Sequence, residues 1–121
     1  MASFAPVHFS GSTSGKPILI AATATPGTII HTAIAGATQF DEVYLWITNV
    51  SAAAVTFTGE ISDGTIVAPD DLFAKLCSIP ANSPPIPILT GLRYNGGMII
   101  RMFASSGTAL TVSGIVNRYT P

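Results

Sequence analysis

Isoleucine, threonine and valine make up 35 of the 121 residues (14, 14 and 7), whereas the chain holds two Glu, two Lys and one Gln. Branching at Cβ stiffens χ1 and suits a pleated, half-buried surface. The straight-chain residues that clothe the solvent side of a helix are nearly missing. No window repeats its apolar residues every 3.6 positions with polar residues opposite, so short strands between Gly, Pro, Asn and Ser clusters are what the chain can build.

The apolar runs predict strands at 17–23, 28–34, 41–50, 55–61, 98–104 and 109–119, with a short edge strand at 86–92. Residues 17–34 could fold as a hairpin about Thr25-Pro26-Gly27, and Tyr94-Asn95-Gly96-Gly97 reads as a hairpin-type turn. Pro69 and the acids after it would suit the start of a short helix; a strand over 72–79 is the preferred reading. Four prolines at 80, 84, 85 and 87 make an extended, largely unpaired stretch that suits a crossover between two sheets. Residues 1–16, with the polar run 10–15, read as a flexible N-terminal arm or a poorly packed strand. The expected fold is all-β: one antiparallel β-sandwich domain over 17–121, of seven to nine short strands, with jelly-roll-like connections compatible with that count.

Charge narrows the function classes. Asp, Glu, Lys and Arg form 9% of the chain, where about 25% is usual. The five basic residues, Lys16, Lys75, Arg93, Arg101 and Arg118, are scattered, and net charge is −1. Direct binding of nucleic acid needs clustered cations and is not expected. Sparse charge protects poorly against association, so neighbours covering much of the surface are expected; the alternative is a monomer clothed in Ser and Thr. No apolar run reaches membrane-spanning length, so no membrane partner is expected, and the N-terminal residues lack the basic and apolar regions of a secretory signal. Cys77 is the one cysteine, which excludes an internal disulfide, and it reads as a small buried apolar residue.

Two strands are apolar on both sides. Val43, Leu45 and Ile47 can face a core, which turns Tyr44 and Trp46 outward; Met98, Ile100 and Met102 likewise leave Ile99, Arg101 and Phe103 on the other side. A lone antiparallel sheet normally has one wet face. Tyr44, Trp46, Ile99, Arg101 and Phe103 are therefore candidate protein–protein contacts, of the types enriched at interfaces. The alternative cover is the 80–92 segment or the N-terminal arm.

Candidate chemistry is thin. His8 and His31 have no further ligand at metal spacing, so each reads as structural or solvent-facing. Gly11 to Lys16 lacks phosphate-loop spacing, since Pro17 stands where Ser or Thr is required. Asp41/Glu42 and Asp70/Asp71 are sequential, so on a strand each pair splits between faces and makes no acid–base dyad. Asn49-Val50-Ser51 matches a glycosylation sequon but reads as a strand end. No catalytic residue, metal or cofactor is expected. A carbohydrate- or receptor-binding module is the alternative class: Tyr44, Trp46, Tyr94 and Tyr119 could stack on sugars, with Arg93, Tyr94 and Asn95 as the ligand-contact loop.

Four segments together resemble small structural proteins of tailed-bacteriophage virions: IAATATPGTIIHTA at 20–33, FDEVYLWITN at 40–49, LRYNGGMIIRMFA at 92–104 and VSGIVNR at 112–118. The resemblance runs from about residue 18 to 118 and consists of strand-and-turn patterns; the chain departs from it at 44–46 and in the proline-rich stretch. It implies a capsid decoration or cement protein on the virion surface, assembled in the host cytoplasm. Implied partners are copies of itself, a trimer favoured, and the major capsid protein, with head–tail or tail components as the alternative.

Overall fold

Nine strands and no helix make up residues 2–121, the residues described in the computed structural model. They are β1 (Ser3–Val7), β2 (Ile18–Leu19), β3 (Thr28–Thr32), β4 (Phe40–Asn49), β5 (Val55–Ser62), β6 (Leu72–Ile79), β7 (Ile86–Tyr94), β8 (Ile99–Ala104) and β9 (Leu110–Thr120). A five-stranded sheet runs β1-β9-β4-β7, with β2 also on β9; a four-stranded sheet runs β3-β8-β5-β6. All pairs are antiparallel. β1 and β2 lie along successive parts of β9, so they act as one interrupted strand. Counted that way, the order is that of a jelly roll.

The period-2 pattern decides what faces the core. Val43, Leu45 and Ile47 of β4 and Ile100 and Met102 of β8 are fully buried, with Phe57, Val112 and Val116 between the same two sheets. Each such side chain contributes about 1.5–3 kcal/mol by leaving water.

Among the described residues only β5 and β6 form a hairpin; β1 and β2 stay on the same sheet along β9, and each of the remaining connections crosses between sheets. The two hairpins expected at 17–34 and 94–97 are therefore corrected. Gly27 lies so close to the Met102 backbone that a Cβ would sit 2.5 Å from its carbonyl carbon, which delivers β3 to β8. The amides of Gly96 and Gly97 donate to the carbonyls of Gly36 and Ile34, docking that turn on the 33–39 loop. The proline-rich crossover is as expected, joining β6 to β7. Asn49 at the end of β4 ties it down: its carbonyl and amide bond Ser83, and its side chain donates to Ala53 and Ile79.

Of the arm expected over 1–16, residue 1 lies outside the described residues, and residues 3–7 are an exposed but paired edge strand. Phe9 then drops into the core at 3% exposure. Its ring fills the space above Gly114, where any Cβ would strike the Tyr44 carbonyl and the Phe9 ring. Cys77 is exposed, not buried, because β6 is an edge strand open to solvent over 75–78.

Candidate functional site: the outer faces of the sandwich

Alternation along β4 turns Phe40, Glu42, Tyr44 and Trp46 outward, each half-buried. Antiparallel register brings Tyr119 of β9 beside Phe40, and Phe4 of β1 beside Tyr119. Phe40 and Tyr119 stack with centroids 4.9 Å apart, and Phe4 closes on both at 6.0 and 5.2 Å. Farther along, Ile115 lies opposite Tyr44 and is 40% exposed. Five aromatic rings thus share one sheet face, four of them half-buried and Phe4 55% exposed.

Its polar groups are bonded to one another. Arg93 lies over the Phe40 ring at 4.6 Å, and its Nε donates to Glu42 Oε2 at 3.2 Å; the Tyr44 hydroxyl donates to Oε1 at 2.8 Å. Those bonds, Tyr44 first and then Arg93, hold the Glu42 carboxyl below its ordinary range, and the same bond raises the Tyr44 hydroxyl.

The opposite sheet presents Ile99, Arg101 and Phe103 of β8 outward, also half-buried. The five residues expected at an interface therefore divide between two opposite faces: Tyr44 and Trp46 on one, Ile99, Arg101 and Phe103 on the other. Arg101 stands across from Glu60 of β5, and its Nε is buried without a hydrogen-bond partner. Arg93, Tyr94 and Asn95 are not brought together. Arg93 points outward onto Phe40, while Tyr94 packs against the core, where burial raises its hydroxyl pKa. Asn95 lies in the following turn and donates to the Ala37 carbonyl at 3.4 Å.

Sequence reasoning missed a polar cluster inside the sandwich. Arg118 clasps Asp41 bidentately, Nε to Oδ1 at 2.8 Å and Nη2 to Oδ2 at 2.9 Å; Ile34 N–H donates to the same Oδ2 at 3.1 Å. His31 shares a 2.7 Å bond with Asp41 through Nε2 and accepts from Ser10 N–H at Nδ1, so its proton is assigned to Nε2. Burial lowers the His31 pKa more than Asp41 raises it. Burial alone would raise Asp41, but the bonds from Arg118 and His31 prevail and hold it below its ordinary value. His31 and Asp41 are buried, and their polar atoms are spent on Ser10, Ile34, Arg118 and each other, which gives this cluster a structural role. A signal existed: Asp41 and Arg118 occupy inward slots in phase with Val43 and Val116.

Among the described residues, no three His, Cys, Asp or Glu side chains gather in a group that could hold a metal ion. No family model, curated protein or solved structure matches this chain.

Proposed function

We propose that this chain is a structural subunit of a tailed-phage virion, a decoration or cement protein that works by docking against other protein subunits. The outer face of the five-stranded sheet is its contact surface, engaging copies of itself in a small homo-oligomer, expected to be a trimer, and the major capsid protein. The observation that carries the docking role is the row formed by Phe4, Phe40, Tyr44, Trp46 and Tyr119 on one open sheet face. Aromatic anchors of this kind dominate binding energy when a partner covers them. Sparse surface charge supports the same reading. The virion setting is supported by the resemblance of the strand-and-turn segments. Jelly rolls serve coat and lectin roles alike, so topology does not choose between them.

The test is copy number in purified particles, together with light scattering of the isolated chain. Copies scaling with capsid subunits, and an oligomer in solution, are expected. A monomer at high concentration that is absent from particles would overturn the proposal.

A second reading draws on the same face. Glu42, Arg93 and the aromatic rings offer polar groups beside stacking surfaces, as a sugar-binding platform requires. Glycan binding abolished by Trp46→Ala, in a chain that does not associate, would favour it.

A further inference from the structure

Glu60 is placed oddly for a carboxylate. Its register opposite Arg101, and its phase with Thr58, put it on the outer side of the four-stranded sheet, yet it is 1% exposed. The turn before β3 caps it: the Thr25 hydroxyl donates to Oε2 at 2.6 Å and Gly27 N–H to Oε1 at 2.9 Å. The ion pairs found among the described residues involve Asp41 and Glu42, and none reaches Glu60. Arg101 stands across the strand pair but makes no ion pair with it; a buried carboxylate left unpaired is costly, and each of its oxygens can accept a second hydrogen bond.

A cleft of about 280 Å³ opens over this group, near the lower bound of roughly 300 Å³ for small-molecule sites. Thr58, Glu60 and Phe103 line its sheet side, and Ile66, Leu72 and Leu76 supply apolar walls. Leu76 adopts φ +50°, a left-handed conformation that bulky residues avoid, and remains 64% exposed. Such outliers cluster at ligand clamps. Register shifts between Phe57 and Gly59, and again between Gly59 and Glu60, bend the β5–β6 pair beside it.

We propose that this cleft binds an ammonium or guanidinium group carried on an apolar stem, either a free amine or a Lys or Arg side chain of a neighbouring subunit. The stem packs on Phe103 and the leucines while the cationic head donates to the free lone pairs of Glu60. Anions are rejected by the same carboxylate. Lys75, an exposed cation that also lines the cleft, opposes entry.

Amide NMR of the whole chain, titrated with n-hexylammonium, 1-hexanol and hexanoate, tests this. Hexylammonium is expected to shift Thr58, Glu60 and Leu76 saturably, to bind about tenfold tighter than hexanol as a charge-assisted hydrogen bond warrants, and hexanoate is expected not to bind. Glu60→Gln should erase the gap between amine and alcohol while leaving hexanol binding intact, and Lys75→Met should tighten the amine. Nα-acetyl-lysine methylamide separates the two sources: saturable binding points to a subunit's side chain, exclusion to a free amine. Equal affinity for amine and alcohol, or a gap that survives Glu60→Gln, would overturn the proposal. Should Glu60→Gln fail to fold, Ala68→Phe fills the mouth of the cleft instead, and undiminished amine binding there would be just as damaging.

Discussion

At the scale of single residues, the His31–Asp41–Arg118 cluster makes stability depend on acid in a defined direction. His31 has a folded pKa below its ordinary 6.5, so the unfolded chain takes up that proton first, and stability falls as pH drops through 6.5. Protonation at Nδ1 would also set an N–H against the Ser10 N–H that now donates there. Asp41, held below its ordinary 3.8, adds a second loss as pH falls beneath that value. The thermal midpoint should therefore hold steady above neutrality and decline in two stages. His31→Gln should remove the upper stage, and a wild-type midpoint unchanged between neutral and pH 5 would refute this. Asp41→Asn strands a partly buried Arg118 and should cost on the order of 3 kcal/mol in denaturant unfolding, with a loss under 1 kcal/mol counting against the clasp.

At the scale of elements, the interruption between β1 and β2 ties the N-terminal segment to the core. Phe9→Ala should cost about 3–5 kcal/mol, the range for emptying a buried aromatic site. Phe4→Ala, on the exposed edge strand, should cost well under half of that; equal losses in chemical unfolding would mean that Phe9 is no anchor. The 72–79 strand was readable to the residue, since Leu72 and Ile79 bound an apolar run between turn residues. The anchoring of 8–12 was not. Phe9 and Ser10 owe their places to Gly114, His31 and Thr32, partners 21 or more positions away, and no local pattern encodes that pairing. Asn49 illustrates the same limit: its sequon suggests surface chemistry, whereas its side chain is spent on the carbonyls of Ala53 and Ile79.

At the scale of the whole molecule, two unlike faces make the docking proposal testable by direction. Ile115→Arg places a charge among the rings of the five-stranded sheet and should abolish self-association in sedimentation velocity while leaving the unfolding midpoint nearly unchanged. Ile29→Arg, on the opposite sheet and 42% exposed, should leave association intact. The reverse pattern would move the contact surface to the other face. Period-2 alternation alone divided inward from outward on β4 and β8, because successive side chains on any strand point to opposite sides whatever lies next to it. β-branched composition likewise settled the all-β class. Which strand lies beside which was decided only in three dimensions, since strands pair through backbone groups that every residue but proline carries alike. For that reason Tyr44 and Trp46 were recognisable as outward-facing from the sequence. Their union with Phe4, Phe40 and Tyr119, their separation from Ile99 and Phe103, and the burial of Asp41 and Glu60 came from the tertiary fold.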